Sequence, residues 1–291
     1  LGVVVAVRLR RLLRVGNFSV VHAHGPMAAV LTRLVHSGVP VITTSHTPFT
    51  SLHPVTRFAW WSSARRDVTH LAVSSVVAAS LPRRVRDSVE VMPHGVDSAA
   101  AQRACGTRSS AGGSVVRAIT VARHRGVKNY PNLLRAVRTA RDAGAPIELI
   151  AVGEGPELEH HRAMAMSLGL SEVVQFVPPC ADVLAMIAGA DLLVVASDYE
   201  GQPLVVAEAL SVGCPVVSTA VGRVPELVGP DVGRVVPPGR ADLLGDAIAE
   251  LALDPALRAR MSEAALARPA VWTLDDVVDA HRRLYDAVGA A

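Results

Sequence analysis

The sequence predicts an α/β fold in two parallel-sheet halves, and three observations predict it. Short β-branched runs alternate with amphipathic stretches, as in successive βαβ units. Half of the 291 residues are apolar but only 3% are aromatic. Val, Leu and Ala must therefore fill the core, which suits strands buried on both faces. The alternation breaks once, over residues 98–114, where small polar residues read as a linker or surface loop.

In the first half, Val20-Val21-His22-Ala23-His24, Pro40-Val41-Ile42-Thr43-Thr44, Leu71-Ala72-Val73 and Val89-Glu90-Val91-Met92 read as strands. Helices are expected over 27–36, through Arg57 to Arg66, and over 75–86. In the second half, strands are expected near 116–121, 147–152, 173–176, 192–195, 215–218 and 233–236 with helices between them. The chain closes on helical stretches at 240–251, 255–267 and 274–287. The second half reads as a complete Rossmann-like domain. The first, with about four strands against the roughly six of a full sheet, reads as incomplete, its opening βαβ units missing.

Charge is uneven. Residues 1–100 hold 11 arginines against 4 acids, net +7, and residues 101–291 are net −4. Arg8, Arg10, Arg11 and Arg14 share one helix-like stretch. It is either a solvated face or a basic patch for anionic lipid. Aromatic platforms and base-reading motifs are absent, which weighs against nucleic acid. Cys105, Cys180 and Cys214 form no C-x-x-C pair, and the odd, scattered count points to free thiols in a cytosolic protein. No apolar run reaches membrane-spanning length, and the opening apolar run precedes its charges, unlike a signal peptide. Arginine occurs 28 times and lysine once, at Lys128. A GC-rich genome accounts for most of the arginines, and the lone lysine stands out against them.

Four features of the second half converge on one ligand. Arg123 ends a strand and Lys128 follows five residues later before a helix, two cations suited to a diphosphate. Gly153-Glu154-Gly155-Pro156 ends the next strand, its glycines permitting a tight turn and close backbone approach and Pro156 suiting a first helical turn; an ordinary βα turn explains it as well. Ser197-Asp198-Tyr199-Glu200-Gly201-Gln202-Pro203-Leu204 follows the strongest strand. There Gly201 allows close approach, Pro203 suits helix position N1, and the free N–H groups of the turn suit phosphate. Glu208 lies eight residues after Glu200, inside an apolar helix where a carboxylate is costly to bury without a partner.

In their order and spacing, Arg123 to Lys128, Gly153-Glu154-Gly155-Pro156, Glu200-Gly201-x-Pro203 and Glu200-x7-Glu208 resemble the family 4 glycosyltransferases, retaining enzymes of the GT-B fold. Gly213-Cys214-Pro215-Val216-Val217 and Gly222-Arg223-Val224-Pro225-Glu226-Leu227-Val228 resemble the family's later βα units. His22-Ala23-His24, Thr44-Ser45-His46-Thr47, Ala72-Val73-Ser74 and Pro93-His94-Gly95-Val96-Asp97 resemble its acceptor-side domain, although Pro93-His94-Gly95 departs from the commoner Pro-Asn-Gly. A strand and glycine-rich loop with which family members begin has no counterpart here, so the sequence reads as N-terminally truncated or as having lost part of its active site.

The resemblance implies two Rossmann-like domains. Residues 1–98 form a partial acceptor-side domain, 99–114 a linker, 115–270 the donor-binding domain, and 271–291 a helix that crosses back to the first domain or packs on its own. It also implies roles. Arg123 and Lys128 bind the donor diphosphate and stabilise it as leaving group. Glu200 meets the donor sugar hydroxyls, assisted by the backbone at Gly201, Gln202, Pro203 and Leu204. Gly153 and Gly155 line the donor, Glu208 holds the ribose, and the base is selected near Phe176-Val177-Pro178-Pro179. His46 faces the donor sugar near its anomeric carbon. No metal and no cofactor are expected, the nucleotide diphosphate sugar being a substrate. A His22-His24-His46 metal site lacks supporting ligand spacing, and hydrogen-bonded strand-end roles are favoured for His22 and His24.

The expected function is metal-independent, retaining transfer of a hexose-type sugar to a lipid-linked or small glycosidic acceptor. The expected setting is bacterial, cytoplasmic and peripheral on the inner membrane face. A non-catalytic nucleotide-sugar-binding remnant and a GT-B nucleotide-sugar epimerase are the alternatives.

Overall fold

The computed structural model describes residues 2–35, 38–106, 115–268 and 272–289. The chain divides into two compact units, residues 1–95 with 272–291, and residues 96–271.

In the first unit, helix α1 (Gly2–Val15) is followed by β1 (Val21–His24), α2 (Pro26–Val35), β2 (Val41–Ser45) and α3 (Pro54–Ser63). Then come β3 (Thr69–Ala72), α4 (Ser75–Ser80), α5 (Arg83–Arg86) and β4 (Val89–Val91). The strands form a parallel sheet in the order β1-β2-β3-β4. The helix expected over 75–86 is two helices, because Leu81 is extended before Pro82 and a residue preceding proline is pushed out of the helical region. Arg33 of α2 donates from Nε to Asp67 at 2.6 Å and pairs with it again through Nη2. Trp60 of α3 is buried beneath that guanidinium, 4.8 Å from its carbon. The buried ion pair thus fastens α2 and α3 to the approach to β3.

The second unit opens on α6 (Ser98–Gly106), followed by β5 (Val116–Val121), α7 (Tyr130–Asp142), β6 (Ile147–Val152), α8 (Leu158–Ser167) and β7 (Val174–Val177). The chain continues through α9 (Val183–Ala188), β8 (Leu192–Val195), α10 (Leu204–Ser211), β9 (Val216–Thr219), α11 (Val224–Leu227), β10 (Gly233–Val236), α12 (Ala241–Leu253) and α13 (Pro255–Ala267). Its parallel sheet has the order β10-β9-β8-β5-β6-β7. From β5 the chain winds outward through β6 and β7, then returns to β8 on the other side. The direction of winding reverses between β5 and β8, and crevices at such points take ligands at the carboxyl ends of the strands.

The reading of 99–114 as a linker is corrected over its first part. Asp97 Oδ1 accepts from Ala100 N at 2.8 Å and starts α6, and Ala101 and Ala104 are buried in the core of the second unit beside Ile187 and Ala188. Alanines that looked flexible are strong helix formers, and they are small because α6 packs closely on α9. Residues 107–114 lie outside the described residues.

The last helix, α14 (Leu274–Gly289), belongs to the first unit. Its Val288 is buried with Ile42, Leu71 and Met92, and Ala280, Leu284 and Tyr285 pack beside them. A Cβ on Gly95 would stand 2.2 Å from the carbonyl oxygen of Thr273. Glycine at that position lets the returning chain lie directly on the end of the β4 segment.

Candidate functional site

Three loops of the second unit meet at the carboxyl ends of β5, β6 and β8. In the β5–α7 loop, Asn129 has φ +46°, a left-handed conformation that asparagine tolerates. Its side chain caps α7 by accepting from Asn132 N at 3.0 Å, and its Nδ2 donates to Asp198 Oδ1 at 2.6 Å. Asp198 N in turn donates to Val127 O at 3.0 Å. The β5 loop is thereby tied on both sides of Lys128 to the loop after β8.

Lys128 Nζ donates to Glu200 Oε1 at 2.5 Å, and Ser197 Oγ donates to the same oxygen at 2.8 Å. The pair is partly exposed, 26% for the lysine side chain and 14% for the glutamate, so both ends remain within reach of a ligand. Arg123 is exposed, and among the described residues no hydrogen bond or ion pair engages its guanidinium. Glu208 sits at the fifth position of α10, half-buried. Desolvation pushes its carboxyl above the usual carboxylate range, the response of an acceptor-only group short of donors.

The two glycines after β6 serve the chain itself. A Cβ at Gly153 would meet Ala122 O at 2.0 Å, and one at Gly155 would meet His124 O at 2.4 Å. The β6 loop therefore lies against the backbone of the β5 loop that carries Arg123 and Lys128. Val177, ending β7, accepts from Gly153 N at 2.9 Å. Two details of the motif reading shift. Pro156 lies in a turn ahead of α8 rather than in its first turn, and Pro203 is the residue before α10 rather than its first helical residue. Gly201 is buried and Leu204 opens α10 partly exposed. The arrangement offers two basic side chains and two acidic ones, on loops braced against each other, at the winding reversal of a parallel sheet.

The first unit gathers histidines at its strand ends instead. His22 Nε2 is 2.6 Å from Thr44 Oγ1 and its Nδ1 is 2.7 Å from Tyr285 Oη, so both ring nitrogens are engaged. His24 Nδ1 lies 3.0 Å from His46 Nε2, and His46 stacks on His94 with ring centres 5.3 Å apart. Desolvation and the neighbouring imidazoles lower His22 and His46 to about 4. Among the described residues no three His, Cys, Asp or Glu side chains are placed to hold a metal ion.

The family model for group 1 glycosyl transferases matches residues 114–268, just over half of the chain, and that for glycosyltransferase family 4 matches residues 2–100. This chain belongs to the family 4 glycosyltransferases. A D-inositol 3-phosphate glycosyltransferase of Saccharomonospora viridis is 30% identical over 92% of this chain and 70% of its own length. An MMP alpha-(1->4)-mannosyltransferase of Mycolicibacterium hassiacum is 28% identical over 83% of this chain and 64% of its own length. The fold matches that of Anabaena HepE, solved in complex with UDP and glucose, with a TM-score of 0.83 at 20% identity, covering 98% of this chain and 81% of that one. The two sheets are those of a GT-B glycosyltransferase.

Of the residues singled out in this glycosyltransferase from sequence, Lys128 and Glu200 are in direct contact, and Gly153, Gly155 and Val177 bear on the same loops. His46 lies in the other unit. Sequence reading missed the bracing groups: Ser197 as a ligand of Glu200, Asn129 and Asp198 as a clamp, and Thr219, whose hydroxyl donates to Ser197 O at 2.6 Å. It also missed Gly222 (φ +51°), where a Cβ would meet the carbonyl oxygens of Glu200 and Gly201 at 2.6 Å. The Lys-Asn dipeptide before a helical pattern was the available signal for the asparagine cap; the other contacts join segments remote in sequence.

Proposed function

We propose that the chain is the glycosyl-transferring part of a retaining, metal-independent enzyme that uses a nucleotide diphosphate hexose donor. The reading rests on Lys128 and Glu200, held 2.5 Å apart at the winding reversal of the second sheet, and on family membership. The site works within the fixed frame of its loops. Lys128 and Arg123 take the diphosphate, and Lys128 then shares its charge between phosphate and Glu200. Glu200 accepts from the donor sugar hydroxyls. Glu208 accepts from the ribose diol, whose donors favour the ionised carboxylate that burial alone disfavours.

The acceptor hydroxyl attacks the anomeric carbon on the face from which the diphosphate leaves. The carbon–oxygen bond to the diphosphate breaks as the new glycosidic bond forms. The hydroxyl proton passes to a phosphate oxygen, and the two cations offset the charge that builds there. His46, lowered to about 4 by burial and neighbouring imidazoles, is a neutral hydrogen-bonding group at the strand ends of the first unit. The acceptor is a lipid-linked or small glycosidic hydroxyl compound, and the enzyme works on the cytoplasmic side of a bacterial membrane.

The test is thermal stabilisation by UDP, GDP and ADP, with Lys128→Ala as control. A nucleotide at one hundred times its dissociation constant adds about 2.7 kcal/mol. A shift with one nucleotide, lost in Lys128→Ala, supports the donor site and names the base. No shift with any of the three removes the donor reading.

A further inference from the structure

Helix α3 carries two adjacent tryptophans with opposite fates. Trp60 is 1% exposed beneath Arg33, whereas Trp61 is 45% exposed and Phe58 68%, with Val55 at 70%. Residues 55, 58 and 61 are three apart and share one side of the helix, and the Phe58 and Trp61 rings stack at 6.1 Å. The guanidinium of Arg84 lies 4.0 Å over the Trp61 ring, and its Nε and Nη2 find no acceptor among the described residues. Arg57 and Arg65 are exposed on the same segment.

The surrounding charge is of one sign. Residues 1–66 contain eight arginines and no Asp or Glu. One of them, Arg33, is spent on the buried pair with Asp67; the other seven, Arg8, Arg10, Arg11, Arg14, Arg57, Arg65 and Arg66, are exposed. Helix α1, with four of these, packs on α2, and α2 packs on α3. No helix among the described residues is long and apolar enough to cross a membrane.

We propose that α3, through Val55, Phe58 and Trp61 ringed by Arg57, Arg65 and Arg84, seats this unit on an anionic lipid surface. An exposed aromatic pair suits the interfacial layer, where amphipathic rings settle. Arginines without carboxylate partners suit lipid phosphates, which take the guanidinium fork. A second copy of the chain fits less well, because its own arginines would meet these. The anchoring is independent of the donor-site reading, and its test does not depend on turnover.

The experiment is flotation of the full chain with vesicles of phosphatidylglycerol and phosphatidylcholine, against phosphatidylcholine alone, following tryptophan emission. The expected result is retention on the anionic vesicles only, weakened by salt, with a blue shift that Trp61→Phe removes. Arg57→Gln with Arg65→Gln should weaken retention about fivefold per arginine. Phe58→Ser with Trp61→Ser should abolish it while leaving the thermal midpoint in place, since both side chains are exposed. Retention undiminished in the Phe58/Trp61 variant overturns the proposal, as does retention abolished by glycerol 3-phosphate at matched ionic strength. Dimerisation in vesicle-free solution that depends on Phe58 and Trp61, without vesicle binding, assigns the face to a second copy and overturns it too.

Discussion

The two units furnish the carboxyl ends of their parallel strands in opposite ways. The second places a lysine, two glutamates and an exposed arginine there, on loops locked together by glycines and an asparagine clamp. The first places neutral imidazoles, stacked on one another and bonded to hydroxyls. The same architecture thus supports fixed charge in one unit and uncharged hydrogen-bonding groups in the other. Fixed charge of this kind suits a phosphate-bearing ligand, whereas neutral imidazoles offer hydrogen bonds without adding positive charge.

The largest expected effect breaks the charged side of this contrast. Lys128→Ala leaves Glu200 without its cation and removes the group proposed to offset the leaving-group charge. A loss of about 10²–10³-fold in turnover is expected, in line with removal of one electrostatic stabiliser, with loss of the nucleotide-dependent thermal shift. Unchanged turnover would show that the pair is only a surface ion pair. Lys128→Arg should restore part of the binding but not the rate, because a planar fork replaces a compact ammonium.

Next in size is Gly155→Ala. Its methyl would stand 2.4 Å from His124 O, so the β5 and β6 loops must separate. Such overpacking costs about 1–3 kcal/mol, read as a lower thermal midpoint, and nucleotide affinity should fall with it, though no ligating atom is removed. A variant that loses stability but keeps affinity would show that the loop contact is structural alone.

Glu208→Gln comes third. If Glu208 accepts from the ribose hydroxyls as proposed, removing its charge should weaken nucleotide binding by about tenfold, the scale of a hydrogen bond to a charged group. It should also raise stability slightly in the free chain, because burial disfavours the ionised form. Equal nucleotide affinity in wild type and variant removes the ribose assignment.

Much of this was legible beforehand because the relevant residues are punctuated by strand ends. Arg123, Lys128, Gly153 and Glu200 each lie a few residues beyond a β-branched run, Glu208 lies in the helix that follows, and the alternation placed the ten strands among the described residues to within a residue or two. What periodicity cannot reveal is which loop touches which. Ser197, Asn129, Thr219 and Gly222 brace the site through contacts between loops up to 69 residues apart, as from Asn129 to Asp198. Helix α6 was missed because Ser, Ala and Gly serve both in linkers and where helices pack closely. The Trp61 face was missed for a related reason. Trp60 and Trp61 are the same residue in composition, and only the fold separates them, packing Trp60 into the core under Arg33 and leaving Trp61 exposed under Arg84.

The smallest effect tests the neutral side. His22 and His46 are lowered to about 4 from an ordinary 6.5, so the unfolded chain binds protons that the folded chain refuses. Their contribution is complete above about pH 6.5 and is lost as pH falls towards 4. Burial is the largest cause in both, with neighbouring imidazoles following. Tyr285→Phe removes the hydroxyl bonded to His22 Nδ1 and should cost about 1 kcal/mol, yet leave that acid window where it is. His46→Gln removes one titrating ring and relieves His22 of a like-charge neighbour, so it should flatten the decline between pH 6.5 and 4. Thermal midpoints of the three proteins across that range decide the point. A Tyr285→Phe variant whose window moves would mean that the hydroxyl, not burial, keeps His22 neutral.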